Sequence, residues 1–259
     1  MHKEAIDEQT KRVWDKIAKT AIADRFYLAG GTALAAYFGH RKSIDLDFFS
    51  QEDFSTPDLK RQLSQTGEIV LLGEAEGTLH VTIDHVMVSF FHYTYGLLFP
   101  PVKFEGLTLA DERDIAAMKL DAVSSRGSKK DFIDIYELLK KYTVAELIVF
   151  FEKKYTGIQY NKLHILKSLM YCETQISKTK CIEICKSNNP ALSGGYKTPL
   201  LGMKSWSIFD SYRICPRVHT RDFDDADEEP PPVMLHDADW DNIKQSIRQA
   251  VSVFSKESN

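Results

Sequence analysis

The stretch from Tyr27 to Phe49, "YLAGGTALAAYFGHRKSIDLDFF", sets the interpretation of the remaining sequence. Its apolar beginning predicts a strand that ends near Ala29, and residues 32–38 predict a short helix. The Gly30–Gly31 pair at their junction permits unusual backbone angles and lets another group approach the main chain closely. The N–H groups of such a helix start are able to hold phosphate oxygens, although an ordinary tight turn explains the same pair.

A second predicted strand, residues 44–49, carries two aspartates one residue apart. Because side chains alternate between the faces of a strand, Asp45 and Asp47 share one face and the apolar residues share the other. Aspartate is disfavoured in strands, so the pair requires solvent, a cationic partner or a bound cation. A wet edge strand is one interpretation. A Mg²⁺ site is the other, since Mg²⁺ often uses one or two carboxylates plus substrate phosphates, and the upstream glycine pair favours it.

Composition excludes several classes of protein. The 259 residues are 43% hydrophobic and 27% charged, with a net charge of −4, which is typical of a soluble globular protein without a general affinity for nucleic acid. No apolar run approaches the roughly 20 residues of a membrane span, and residues 1–21 lack an apolar signal core, which predicts a cytoplasmic location. Four cysteines, Cys172, Cys181, Cys185 and Cys215, are too few for a disulfide scaffold and lack the second close pair of a zinc site.

The predicted elements are mixed α and β at first and mostly helical later. Residues 78–95 predict a hairpin with its turn near Asp84 and His85. Helical periodicity is found at residues 4–23, 58–66, from 110–111 onward, 129–142, 143–155, 160–171 and 240–254. Periodicity is lost after Tyr171, and residues 221–235 are acidic and rich in proline, which is typical of an extended segment.

Three motifs in this order resemble a known family. "GGTALAAYFGHRKSIDLDFF" resembles the signature of the nucleotidyltransferase fold, and with "DIAAMKL" and "RGSKKDFIDIYELL" it resembles the AbiEii/AbiGii-type nucleotidyltransferase toxins. Those proteins are the toxin half of type IV toxin–antitoxin and phage-abortive-infection systems. The resemblance covers residues 26–171 and resumes at 223–235. It implies an α+β fold in which a nucleotidyltransferase-type mixed sheet with helices is followed by a mostly helical region.

The resemblance also implies an activity and its residues. The expected reaction moves a nucleotide from an NTP to an acceptor, with loss of pyrophosphate. The resemblance implies an RNA acceptor, such as the 3′ end of a tRNA. Asp45 and Asp47 would hold Mg²⁺ or Mn²⁺, and Asp45, Asp47, Lys119 and Asp131 would be the catalytic residues. The implied nucleotide contacts are Gly30, Gly31, Thr32, Arg41, Ser43, Lys119 and Arg126. The implied partner is an antitoxin encoded alongside that forms no stable complex with the toxin; no membrane is involved.

Spacing supports part of this assignment without deciding it. Lys119 and Arg126 are seven residues apart and share one helix face, and Asp131 shares a face with Asp134 three residues later. Acidic residues are also favoured near helix N-termini, which explains Asp131 equally well. Arg126 with Lys129 and Lys130 forms either a local basic patch suited to phosphates or a solvated helix face.

One position departs from the pattern. The nucleotidyltransferase fold usually has a third carboxylate on a later strand, and Ser89 stands at the matching position. Asp84 is near but belongs to the predicted turn, where aspartate is common. Ser89 therefore leaves three alternatives: chemistry with one metal ion, a base from elsewhere such as His40, or a nucleotide-binding or regulatory protein of the same fold with impaired catalysis.

These patterns divide the chain into four regions. Residues 1–106 are expected to form the nucleotidyltransferase core with an N-terminal helix, and residues 107–171 a helical region. Residues 172–222 are expected to be an inserted segment. Periodicity is lost there, and in the proteins that this chain resembles the pattern that resumes at Phe223 follows the last core helix almost directly. Insertions are tolerated because loop closure costs grow only slowly with length. Residues 223–259 are expected to contain an acidic strap and a C-terminal helix.

Overall fold

The computed structural model describes residues 1–170, 233–235 and 239–257 of the chain. In this part of the chain seven strands form one mixed sheet. They are β1 (Tyr27–Ala29), β2 (Leu46–Ser50), β3 (Ile69–Ala75), β4 (Thr78–Ile83), β5 (Val86–His92), β6 (Val102–Phe104) and β7 (Leu107–Leu109). Their order across the sheet is β3-β4-β5-β2-β1-β7-β6, with β2 at the centre.

The helices surround this sheet and dominate the second half of the described chain. They are α1 (Glu8–Ile17), α2 (Ile22–Arg25), α3 (Gly30–Phe38), α4 (Thr56–Leu63), α5 (Glu112–Ser125), α6 (Lys129–Leu139), α7 (Val144–Lys154), α8 (Lys162–Met170) and α9 (Trp240–Glu257), preceded by a 3₁₀ turn at Lys3–Ala5. The predicted α+β class is confirmed. The single helix predicted over residues 4–23 is wrong in detail, because Asp7 caps α1 by accepting a hydrogen bond from the Gln9 N–H and a turn at Thr20 separates α2.

The sequence predicted one hairpin of the sheet and missed its edge strand. The β4–β5 hairpin was predicted, and its turn residues Asp84 and His85 have φ of 49° and 65°, as a tight two-residue turn requires. Strand β3 was not predicted, because it is an edge strand with a bulge and its Val70, Leu71 and Leu72 are consecutive and about half exposed. Such a run shows no alternation for a sequence pattern to detect.

The two faces of β2 separate the core from the candidate site. Leu46 and Phe48 are fully buried, and the Phe48 ring stacks on Phe90 of β5 with 5.2 Å between centroids. Phe26 packs edge-on against the same Phe90 ring. Asp47 lies on the opposite face, toward α5. Helix α5 contacts α3, α6, α7 and α8, so it joins the sheet to the helical region.

The predicted boundaries of the four regions can be compared with the observed elements at three places. The predicted boundary at 106/107 falls in the turn between β6 and β7, and β7 pairs with β1 in the same sheet. The expected insertion at 172–222, with all four cysteines, lies outside the described residues, as does most of the acidic strap. Residues 233–235 pair with the main chain of residues 40–42, where Met234 bridges Arg41.

Within the described ranges, each helix is too short or too polar to cross a lipid bilayer.

Candidate functional site

Each glycine of the Gly30–Gly31 pair lies against a different charged group. Gly30 has φ of +69°, and a Cβ at this position would lie 2.9 Å from Oδ2 of Asp47. A Cβ on Gly31 would collide with Nη2 of Arg41. Both positions require glycine because a side chain would collide with a charged group, the Asp47 carboxylate at Gly30 and the Arg41 guanidinium at Gly31.

Asp45 and Asp47 lie at the start of the central strand. Asp45 directly precedes β2, and Asp47 is its second residue, paired with Ala29 of β1 on one side and Ser89 of β5 on the other. Burial raises the pKa of Asp47, and the charges of Arg126 and Lys119 only partly oppose this effect. A carboxylate whose ionised form is under-compensated is one that a bound cation would stabilise.

A cleft of about 120 Å³ opens between this end of β2 and helix α5. Asp47 and Gly30 line it beside the cationic side chains of Lys119 and Arg126. The rest of the lining is formed by Phe49, Phe91, Tyr93, Met118, Asp121, Ala122, Ser125 and Tyr155. The cleft thus has a charged end and an aromatic wall, in which the rings of Phe49 and Phe91 stack with 5.1 Å between centroids.

A wider groove of about 660 Å³ runs along α1 near Asp84. Its lining is polar and charged and includes none of the predicted site residues. Asp84 stands in the hairpin turn, as the sequence predicted, and accepts a hydrogen bond from Lys16 Nζ at 2.5 Å.

Behind the cleft lies a buried ion cluster, defined as Arg41, Lys119, Arg126, Asp131 and Asp134. Asp134 is fully buried and accepts two hydrogen bonds from Arg41, Nε to Oδ1 at 2.8 Å and Nη2 to Oδ2 at 3.0 Å. Lys119 Nζ lies 2.6 Å from Asp134 Oδ2. His40 Nε2 lies 2.7 Å from Oδ1 and is also fully buried, so His40 supports Asp134 and is closed off from solvent.

Asp131 occupies the second acidic position of the cluster. It is fully buried and accepts from Lys119 Nζ at 2.9 Å and from two nitrogens of Arg126 at 2.9 and 3.0 Å. Its other partner is Ser128, the N-cap of α6, which donates to Asp131 at 2.7 Å. Asp131 therefore combines the capping role and the charged role that the sequence left as alternatives.

The cluster keeps its charges because they compensate one another. Burial alone would raise the pKa of Asp131 and Asp134. Lys119 and Arg126 instead hold the pKa of Asp131 well below its usual value, and Arg41 and Lys119 do the same for Asp134. Burial alone would lower the pKa of Lys119, and the two aspartates raise it instead. All five side chains are consequently ionised at neutral pH, and only Arg126 is half exposed, at the rim of the cleft.

Three other residues predicted to contact nucleotide lie behind the glycine turn. Thr32 and Ser43 are buried, their hydroxyls are 2.7 Å apart, and Thr32 also donates to the carbonyl oxygen of Asp45. Arg41 is 3% exposed. The side chains of Thr32, Ser43 and Arg41 thus fix α3 to the segment that carries Asp45.

The sequence interpretation did not identify the aromatic wall or His80. His80 Nδ1 lies 3.0 Å from Ser89 Oγ, and His80 and Ser89 are paired across β4 and β5. Strand alternation was the available signal, because Phe49 follows Asp47 by two residues and Phe91 follows Ser89 by two. A basic patch was one prediction for Arg126, Lys129 and Lys130. The Nζ of Lys129 lies 5.0 Å from the centroid of the Trp240 ring, so this side chain contacts α9.

Only one of the two predicted metal ligands lines the cleft. Among the residues that the structure describes, no three His, Cys, Asp or Glu side chains gather into a metal site. Asp47 lines the cleft beside the Gly30 turn, whereas Asp45 is not among the lining residues. A single carboxylate at this place fits a Mg²⁺ ion that takes most of its ligands from phosphates and water.

The chain matches one protein family and is similar to several known proteins. The family described as nucleotidyl transferase AbiEii toxin, type IV toxin–antitoxin system, matches residues 12–253. The chain is 37% identical over 174 residues to the uncharacterized protein aq_aa25 of Aquifex aeolicus (strain VF5), a match that covers 65% of this chain and 84% of that protein. Two solved structures are similar at 14% identity. JHP933 from Helicobacter pylori has a TM-score of 0.47 with 97% of this chain and 94% of that chain covered, and the Megavirus polyadenylate synthase has 0.37 with 59% and 32% covered. Because the family match extends over nearly the whole sequence, the chain belongs to the AbiEii family of nucleotidyl transferase toxins.

Proposed function

We propose that this nucleotidyltransferase moves a nucleotide from an NTP to RNA, with Mg²⁺ held at Asp45 and Asp47 and the 3′ end of a tRNA as acceptor. One observation carries the proposal. Asp47, whose pKa burial raises, lines the same cleft as Lys119 and Arg126 and lies against the Gly30 turn at the start of a helix. Carboxylate, cations and helix N–H groups together are the groups that recognise a triphosphate.

The residues of the chain divide the reaction between them. The 3′-hydroxyl of the acceptor attacks the α-phosphorus and gives up its proton to water. The new O–P bond forms while the bond from the α-phosphorus to the pyrophosphate oxygen breaks. The N–H groups of Gly30 and Gly31 hold phosphate oxygens, and Arg126 and Lys119 offset the charge that gathers on the leaving pyrophosphate. When bound, Mg²⁺ supplies further charge neutralisation on the phosphates.

Ser89 bears on how many metal ions take part. It pairs with Asp47 at the position where a third carboxylate would stand, and a hydroxyl is a weak metal ligand beside a carboxylate. The two-carboxylate donor set favours chemistry with one Mg²⁺ over a two-metal site.

A labelling experiment tests the proposal. Protein is incubated with each α-³²P-labelled NTP, total RNA and Mg²⁺, and the RNA is separated on a denaturing gel. The expected result is label on tRNA-sized species with one or more NTPs, which EDTA abolishes and which periodate oxidation of the RNA 3′ ends prevents.

Two variants make the labelling result specific to the site. Asp47→Asn removes the proposed metal carboxylate and is expected to stop transfer, while Asp58→Asn removes an exposed carboxylate of α4 and is expected to leave transfer unchanged. Saturable NTP binding without any labelled RNA would show a nucleotide-binding protein that lacks turnover and would overturn the proposal.

The antitoxin is the remaining part of the proposal. We infer from the family that the protein inhibits growth when expressed alone and that an antitoxin encoded alongside relieves the inhibition without a stable complex. Co-expression of the adjacent gene should restore growth, and affinity purification of the tagged toxin should recover no stoichiometric partner. A stoichiometric complex would contradict the type IV arrangement for this protein.

A further inference from the structure

A row of three polar side chains crosses the sheet next to the Gly30 turn. Asp47 of β2 pairs with Ser89 of β5, and Ser89 pairs with His80 of β4. Side chains at directly paired positions lie on the same face of a sheet. The row therefore runs from the proposed cation site through the position of the missing third carboxylate to a histidine on the next strand.

One hydrogen bond of this row is direct, between His80 Nδ1 and Ser89 Oγ at 3.0 Å. Ser89 stands at the position paired with Asp47, and an ionised carboxylate only accepts hydrogen bonds. A Ser89 hydroxyl that gives its one proton to Asp47 must accept from His80, which would place the proton of the neutral imidazole on Nδ1. Burial lowers the pKa of His80, so the imidazole is neutral at neutral pH.

Packing holds the imidazole in this orientation. The ring of Phe91 meets it edge-on with 5.4 Å between centroids. On its other side β3 presents Gly73, where a Cβ would lie 3.8 Å from His80 Cδ2. The imidazole therefore lies between an aromatic ring on β5 and a glycine on β3. The bulge of β3 is next to this glycine.

We propose that His80 is a positioning residue of the nucleotidyl-transfer site, which acts through Ser89 to hold the Asp47 carboxylate against the Gly30 turn. The inference rests on the proposed function of Asp47. Gly30 and Ser89 flank the carboxylate on its two sides, and His80 orients the hydroxyl that fixes it. A neutral relay thus stands at the position of the third carboxylate and leaves the negative charge of the site on Asp47 and on Asp45, which directly precedes β2.

The kinetic test uses variants that separate orientation from proton transfer. His80→Ala and Ser89→Ala should each lower kcat about 10- to 100-fold, the range found for residues that orient metal ligands, with a smaller change in KM for the NTP. His80→Asn keeps a donor near the Nδ1 position but has no basic nitrogen, and it should retain kcat within about threefold of the parent if His80 only orients Ser89. The double variant His80→Ala/Ser89→Ala should be no slower than either single variant, because both remove the same relay. Thr78→Ala, two residues earlier on the same face of β4, is the matched control and should leave kcat unchanged.

A second readout does not depend on activity. ¹⁵N NMR of histidine-labelled protein without nucleotide should show His80 with a protonated Nδ1 and an unprotonated Nε2, and Ser89→Ala should remove that preference. A protonated Nε2 in the parent, or parent kcat in His80→Ala, would overturn the proposal; His80→Asn as slow as His80→Ala would show that the imidazole is a base, not a positioning residue. If the parent transfers no nucleotide at all, the proposed function fails, and the NMR result still decides whether the relay exists.

Discussion

Asp47 and Asp134 lie on opposite sides of the same helix start, yet their surroundings move their pKa values in opposite directions. Burial raises the pKa of Asp47, which Arg126 and Lys119 oppose only partly. Burial would raise the pKa of Asp134 as well, but Arg41 and Lys119 are near enough to hold it well below the usual value. Gly30 faces the first carboxylate and Gly31 faces the cation of the second.

Under the proposed function, the difference separates a carboxylate that would bind a cation from one that stabilises the fold. Asp134 has its negative charge compensated inside the protein, so it has little to offer a further cation. Asp47 is paired with Ser89 and lines a cleft, and its charge is only partly compensated, so a bound cation would stabilise it. The same residue type therefore has two roles because of the charges that surround it.

Removing the compensated carboxylate should have the largest effect on stability. Asp134→Ala leaves Arg41 and Lys119 buried with unbalanced charge, and breaking a buried ion pair from one side costs about 3–5 kcal/mol. Urea denaturation of the parent and the variant measures the free energy of unfolding. Asp58→Ala removes a carboxylate of an exposed pair with Arg61 and should change that free energy by less than about 1 kcal/mol. Equal losses in the two variants would refute the compensated role of Asp134.

Removing the under-compensated carboxylate should lower nucleotide transfer without lowering the free energy of unfolding. Asp47→Asn is expected to lower nucleotide transfer at least about 100-fold, since residues that merely orient metal ligands already cost 10- to 100-fold. The free energy of unfolding of the apoprotein should stay the same or increase, because the raised pKa shows that ionised Asp47 is disfavoured in the fold. A destabilised Asp47→Asn variant would place Asp47 in the same class as Asp134.

Alanine at Gly30 and at Gly157 should cause similar backbone strain, so the two variants can be compared for their effect on nucleotide transfer. Gly30 and Gly157 have φ of +69° and +86°, so an alanine at either should cost about 1–2 kcal/mol of stability. At Gly157 nothing lies within 4 Å of the added Cβ, whereas at Gly30 the Cβ meets Asp47 Oδ2 at 2.9 Å. Only Gly30→Ala should therefore lower nucleotide transfer, measured under conditions where both variants are folded. A parent rate in Gly30→Ala would show that the position of the Asp47 carboxylate is not critical.

The pH dependence of stability should have opposite signs at the two regions. The folded pKa of Asp131 and Asp134 lies below the usual 3.8, so their contribution is present above that value and is lost as the pH falls through the folded pKa. Each unit of lowering is worth about 1.4 kcal/mol. The folded pKa of Asp47 is raised, so Asp47→Asn should gain stability over the parent at neutral pH and lose that advantage below pH 3.8.

Urea titrations between pH 3 and 7 on the parent, Asp47→Asn and Asp131→Asn measure both effects. Asp131→Asn should show a shallower loss of stability in acid than the parent. Parallel stability curves for all three proteins would contradict the assignment of compensated and under-compensated carboxylates.

Much of the fold followed from local patterns, and the exceptions have physical reasons. The helices from α3 to α8 and the β4–β5 hairpin carry periodicity, caps and turn residues that a sequence displays directly. Strand β3 was missed because three consecutive apolar residues on an exposed edge strand show no alternation. Strands β6 and β7 are three residues each, and the pairing of β7 with β1 spans about 80 residues that no local pattern connects.

The sequence predicted a set of candidate site residues but not the contacts between them. Alternation placed Asp45 and Asp47 on one face and spacing placed Asp131 with Asp134. The sequence assigned Arg41 and Lys119 to the nucleotide without showing that both are bound to buried aspartates, because those pairs join α5 and the segment after α3 to α6 across the fold. His80 was missed because its partner is on the neighbouring strand and its own strand pattern is ordinary.

The most direct test of the central claim is Mn²⁺ binding measured by electron paramagnetic resonance in the presence of a non-hydrolysable NTP analogue. Mn²⁺ replaces Mg²⁺ at oxygen sites, and the bound ion is counted without any need for transfer. The account predicts saturable Mn²⁺ binding by the parent and by Asp58→Asn, and its loss in Asp47→Asn with the fold unchanged by circular dichroism. Parent-like Mn²⁺ binding by folded Asp47→Asn would contradict the account.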